Sequence, residues 1–169
     1  MISDYSAKTR KTAVLGMFLA LALIMGYIES LLPPLSGIPG VKLGLSNIVT
    51  LITMEVFGKK EALVVLLLRI VLSGLLFGNM FSMVFSLSGG LLAFAAMGAG
   101  SMFKALSITG VSMLGGVFHN IGQLIAAAIV VDELKIAYYG PVLLISGLLT
   151  GFVTGLIAKI VLSYIRKAL

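Results

Sequence analysis

Cysteine and tryptophan are absent from this 169-residue chain, histidine occurs once, and the only aspartates are Asp4 and Asp132. Without cysteine there are no disulfides, no thiolate-held iron–sulfur clusters and no thiol chemistry. A lone histidine with no thiolate beside it gives no reason to expect a dedicated metal site. No aspartate pair is present to hold a magnesium diphosphate. Gly58-Lys59-Lys60 lacks the upstream glycine and the following Ser or Thr of a phosphate loop. The chain by itself is therefore neither an ATPase nor a prenyltransferase of the usual aspartate-rich kind. No flavin or haem ligand stands out, and no cofactor is expected.

Charge is scarce as well. Only 11% of residues are charged, 60% are hydrophobic, and the mean hydropathy is +1.18. A soluble domain of this size needs more polar residues than that to cover its surface. The composition predicts one all-α membrane domain spanning 1–169, with the lipid bilayer as its surroundings. The net charge of +6 does not point to nucleic acid, because the basic residues sit at the ends of apolar runs. With no tryptophan, Tyr5, Tyr27, Tyr138, Tyr139 and Tyr164 are the interfacial aromatics, and all lie near expected helix ends.

Six spans are expected, at about 9–32, 44–57, 61–78, 80–102, 106–131 and 139–164. Lys8, Arg10 and Lys11 ahead of the first run resemble the start of a signal peptide. The run is longer than a signal core, though, and has no convincing cleavage site, so it reads as an uncleaved span. Pro33-Pro34 ends it, and Gly37, Pro39 and Gly40 mark the following linker as turns. The second span is short: fourteen residues rise about 21 Å against a hydrocarbon core of about 30 Å. Either its neighbours shelter it or the linker dips into the membrane. Asn79 closes the third span. Placing the N-terminus inside puts Lys8, Arg10, Lys11, Lys59, Lys60, Lys104, Lys159, Arg166 and Lys167 on the cytoplasmic side. Only Lys42 and Lys135 remain outside, so both termini are expected to be cytoplasmic, in the cell membrane.

Small residues recur where helices would touch closely. Gly147, Gly151, Gly155 and Ala158 form a ridge on the last span, which is either a sliding or docking surface or ordinary helix packing. Ala13, Gly16 and Ala20 form a similar ridge on the first.

Four groups of polar residues are candidates for binding. Arg69 lies near the middle of the third span, where a guanidinium costs about 2.5–3.5 kcal/mol on insertion scales. It either binds an anionic group of a ligand or pairs with Glu55 on the preceding antiparallel span. His119, Asn120 and Gln123 fall within about a third of the circumference of the fifth span at mid-depth, flanked by Gly115 and Gly122. Lipid is a poor neighbour for such a face, so it should look inward, either lining a pocket or bonding between helices. Lys42, Ser46 and Asn47 cluster at the outer start of the second span, as helix caps or as an anion-binding lip. Glu29, near the outer end of the first span, reads as interfacial.

Several of these stretches together resemble a known family. They are Pro39-Gly40-Val41-Lys42-Leu43-Gly44-Leu45-Ser46-Asn47, Lys60-Glu61-Ala62-Leu63 leading to Leu68-Arg69, Phe81-Ser82 through Ser88-Gly89-Gly90, and Gly115 through His119-Asn120-Ile121-Gly122-Gln123. The chain resembles the Gx transporter family, often labelled heptaprenyl diphosphate synthase component I, over essentially its whole length. That family is grouped with the S components of energy-coupling factor (ECF) transporters, six-helix membrane subunits that bind a vitamin or precursor from outside. They dock on a scaffold membrane protein driven by two ATPases. The resemblance implies that Ala13, Gly16 and Ala20 are the docking face and that a small-molecule substrate binds near Lys42, Asn47, Arg69, His119, Asn120 and Gln123. It implies a transport subunit with no chemistry of its own. The family label keeps a second role open, as an accessory membrane subunit of a polyprenyl diphosphate synthase. Relatives that occur beside flavin- and quinone-linked proteins extend that role to a redox complex.

Overall fold

A computed structural model describes residues 2–31, 44–131 and 134–168. Six α-helices follow one another: α1 Ile2–Leu31, α2 Asn47–Phe57, α3 Lys59–Leu76, α4 Met80–Gly100, α5 Ile108–Val131 and α6 Gly140–Ala168. A short 3-10 helix, Leu134–Tyr139, leads into α6. The linker between α1 and α2, with Pro33, Pro34 and Lys42, lies outside the described residues.

α1, α4, α5 and α6 are each long and apolar enough to cross a membrane. Their outward residues are those a bilayer accepts, such as Met17, Ile129 and Leu149, all largely exposed on the isolated chain. The chain is a multi-pass membrane protein. α2 has only 11 residues and almost all of its first two turns are buried. Shelter by neighbouring helices accounts for its shortness, while the linker whose dip into the membrane is the other expectation lies outside the described residues. Its backbone needs no lipid-spanning length because protein surrounds it.

Two turns are set by local chemistry. Gly58 takes a φ of +101°, which an L side chain rarely adopts, and so allows α2 to reverse directly into α3. Asn79 belongs to α4 rather than closing α3. Its Oδ1 accepts from the Ser82 amide at 2.8 Å while Ser82 Oγ accepts from the Asn79 amide at 3.0 Å, a reciprocal N-terminal cap.

α5 is the central helix, packed between α4 and α6. Glycines on both sides bring the backbones together. A Cβ on Gly116 would lie 2.2 Å from the Gly147 carbonyl oxygen, and one on Gly151 would lie 2.6 Å from Met113 Cα. The Gly147–Gly151–Gly155 ridge is thus consumed by packing against α5, where Ser112 and Thr154 also share a 3.0 Å hydrogen bond.

The basic ends gather at one pole. Lys11 Nζ meets Glu61 Oε1 at 2.6 Å, Arg166 Nη2 meets Glu55 Oε2 at 3.2 Å, and Lys59 Nζ donates to the Gly98 carbonyl at 2.7 Å. These contacts bring together the first half of α1, the α2–α3 turn and the final turns of α4 and α6. This is the pole that the positive-inside rule leads us to expect on the cytoplasmic side. Above it the interior is apolar, built on Leu51, Ile52, Met97, Val111 and Leu162. Further from that pole the interior becomes polar.

Candidate ligand-binding site

Arg69 anchors the polar region. It is ten residues into α3, about 15 Å along the axis from the basic pole, and only 3% exposed. Nη2 reaches Asn47 Oδ1 at 3.5 Å, the outer limit of a hydrogen bond. Nε has no hydrogen-bond partner among the described residues. Glu55 is not its partner, because Glu55 is held by Arg166 at the basic pole. The acidic residue whose charge bears on Arg69 is Glu29. A buried guanidinium with so few good acceptors is costly to fold and well suited to an incoming anion.

The backbone leading into α2 forms a second wall. Gly44 has φ +79°, and a Cβ there would sit 2.8 Å from Asn47 Nδ2 and 2.9 Å from His119 Cδ2. Only glycine satisfies both that dihedral and that contact. Ser46 is fully buried and makes no side-chain cap for α2, so its capping role is not realised. Ser46 Oγ and Asn47 Nδ2 have no hydrogen-bond partner among the described residues. Glu29 is not interfacial: it is 5% exposed, and its Oε1 accepts from the amides of Gly44 and, at 3.2 Å, Leu45.

The third wall is α5. His119 and Gln123 are buried and face α4, where Gly89 makes room for them. A Cβ on Gly89 would lie 2.9 Å from His119 Cε1 and from Gln123 Cγ. The next residue, Gly90, makes room on the α3 side for Leu66 and Ile70, whose Cδ1 atoms lie 3.1 and 3.3 Å from its Cβ position, with Arg69 Nη2 in ordinary contact at 3.7 Å. Adjacent glycines on one helix thus let α3, which carries Arg69, and the His119–Gln123 face of α5 both pack closely on α4. Asn120 turns the other way, to α6. Its Nδ2 donates to the Leu143 carbonyl at 2.6 Å and to Ser146 Oγ at 3.0 Å, while Oδ1 has no hydrogen-bond partner among the described residues.

Of the residues expected at a site, Asn47, Arg69, His119 and Gln123 come together through Gly44, Gly89 and Gly90. Asn120 stands beside them with its amide nitrogen committed to α6. Lys42 lies outside the described residues. Glu29 is the addition. In the sequence it is one acid near the end of an apolar run, and nothing in its spacing marks it as buried. Ala13, Gly16 and Ala20 lie elsewhere, exposed on α1, with no atom within 4 Å of the Gly16 Cβ position. A separate groove of about 350 Å³ between α4 and α5, near Ala96, Gly100, Leu114 and Phe118, is lined by apolar residues alone and offers an anion nothing.

The profile of the family described as heptaprenyl diphosphate synthase component I matches residues 18–161. The chain belongs to that family. The matched stretch holds Glu29, Asn47, Arg69, His119, Asn120 and Gln123, whereas Ala13 and Gly16 precede it. None of the curated proteins compared matches the chain. Among solved structures, the S component of a bacterial ECF transporter is similar in fold. The TM-score is 0.57 at 20% identity, over 95% of each chain. The family member described here therefore has the S-component fold, a six-helix membrane bundle.

Proposed function

We propose that this family member is the membrane-embedded substrate-binding subunit of a transporter, working with a separate energising module. Its substrate is a small anionic molecule such as a vitamin, a flavin or an isoprenoid precursor. The observation that supports this reading is Arg69, a buried guanidinium that among the described residues hydrogen-bonds only Asn47, at the limit of length, while Ser46 Oγ and Asn47 Nδ2 have no partner among those residues. Arg69 would take the anionic group, Asn47 would donate an amide, and His119 and Gln123 would bond the rest of the molecule. Asn120 would contribute its oxygen, and Lys42 would guard the outer approach. The likeness in fold to an S component supports the same reading, with a scaffold membrane subunit and ATPases as partners. The exposed ridge of Ala13, Gly16 and Ala20 suits close approach by such a scaffold helix. The whole chain, 1–169, would act as one domain in the cell membrane, without catalysis of its own.

The family's description favours a second reading, an accessory membrane subunit of a polyprenyl diphosphate synthase. Affinity purification of the tagged chain from its own membranes separates the two. Recovery of a scaffold membrane protein with ATPases supports the transporter reading. Recovery of a soluble prenyl synthase subunit in its place overturns it.

A further inference from the structure

We propose that Glu29 is the positioning residue of this site, the group that holds its outer wall in place. The carboxylate belongs to α1, yet its contacts are with the backbone ahead of α2. Oε1 accepts from two successive amides, Gly44 and Leu45, immediately before the buried Ser46 and before Asn47, whose side chain reaches Arg69. Those two amides precede the helix, so no helical carbonyl is available to accept from them. A carboxylate is the strongest acceptor a side chain can offer them. Gly44, so held, is pressed between the Asn47 amide and the His119 ring, where a single added carbon would collide with both. Asn47 in turn is the residue that reaches Arg69. One carboxylate therefore sets the position of a turn touching two of the groups proposed to meet the ligand, Asn47 and His119, and through Asn47 it bears on a third, Arg69. The charge of Glu29 also bears on Arg69, which ties the same residue to the cationic wall. α1 runs unbroken from Ile2 to Leu31, so this link couples the outer end of that helix to the pocket.

This inference rests on the reading that the space around Arg69 receives a ligand, but its test needs no ligand. The chain has no cysteine, so a single Ser46→Cys is a clean reporter of how often the turn opens. Ser46 is fully buried, and in the purified full chain the new thiol should react slowly with a membrane-impermeant maleimide. Glu29→Ala should raise that rate about tenfold or more, given the strength of hydrogen bonds to a charged acceptor. Glu29→Gln keeps an acceptor oxygen and should bring the rate back close to that of the parent. Ser112→Cys, buried between α5 and α6, should stay slow in every background. Three results would overturn the proposal: an unchanged Ser46→Cys rate in Glu29→Ala, a glutamine variant that behaves like alanine, or acceleration at Ser112→Cys in parallel. The last would mean that Glu29 supports the whole bundle and not the turn. Should Glu29→Ala fail to fold, hydrogen exchange on the unmodified chain still decides: the Gly44 and Leu45 amides must be protected, and rapid exchange at both refutes the clamp. A clamp that fails while a ligand still depends on Arg69 leaves the binding reading standing, so the two failures are distinguishable.

Discussion

Arg166 holds Glu55 at 3.2 Å, joining the end of α6 to the end of α2. That pair takes from Arg69 the carboxylate which the antiparallel order of α2 and α3 offered it. Arg69 is left inside the bundle with Asn47 and the field of Glu29, the position on which its proposed role rests.

The Arg166–Glu55 pair is itself a weak structural element. Arg166 is 62% exposed in its side chain, and ion pairs open to solvent contribute about 0–1 kcal/mol. Arg166→Ala should therefore shift thermal unfolding in detergent only slightly and leave ligand retention unchanged. A loss of ligand in this variant would show that Glu55 is coupled to the site after all.

Glycine positions should divide sharply between two faces. Gly116→Ala would place a carbon 2.2 Å from the Gly147 oxygen, a backbone atom that cannot step aside. Overpacking of this kind costs about 1–3 kcal/mol or more, so the α5–α6 seam should loosen and the unfolding temperature fall clearly. Gly16→Ala meets nothing within 4 Å and replaces a poor helix former, which favours the helix by about 0.5–1 kcal/mol. Its unfolding temperature should hold or rise. The reverse ranking would mean that the α1 face, not the α5–α6 seam, is the packed one.

Larger changes on α1 should act on assembly alone. Gly16→Leu and Ala20→Leu add bulk to an exposed ridge, so the isolated chain should fold and keep its ligand. Co-purification of a scaffold subunit, and with it uptake, should be lost because small residues are what allow two membrane helices to approach. Undiminished uptake in both variants contradicts a docking role for this ridge.

Asn120 is the test of structure against binding on α5. Its amide ties α5 to α6 through Leu143 and Ser146. Asn120→Ala should cost about 1–3 kcal/mol, the usual penalty for leaving buried hydrogen-bonding groups unpaired. Ligand affinity should fall less than in Gln123→Ala, whose side chain faces α4 and the glycine pair. Equal or greater loss of affinity in Asn120→Ala would place Asn120 among the main ligand contacts.

Much of this arrangement was legible from the chain alone. Six apolar runs, basic residues at one pole and a polar stripe inside the fifth run follow from hydropathy and spacing, because a bilayer punishes misplaced polar groups on every helix alike. What escaped was side-chain partnership across helices. Glu55 and Arg69 sit at a plausible offset on consecutive spans, yet Glu55 found Arg166, more than a hundred residues on. Glu29 looked like a residue at a membrane surface, because nothing local reveals that the turn at Gly44 folds back over it. Asn120 shares a stripe with His119 and Gln123, but it lies at the edge of that stripe, and where α6 crosses decided its direction. Asn79 lies two residues beyond the C-cap of α3 at Phe77, and only its reciprocal bonds with Ser82 reveal that it serves α4.

The central claim is that Arg69 holds the anionic group of a bound small molecule. Native mass spectrometry of the chain purified from its own membranes, with the released small molecules identified, tests it most directly. The account predicts one recurring anionic compound on the unmodified chain, lost in Arg69→Ala while the helical signal and unfolding profile are kept. An Arg69→Ala variant that folds and still carries the same compound would contradict it.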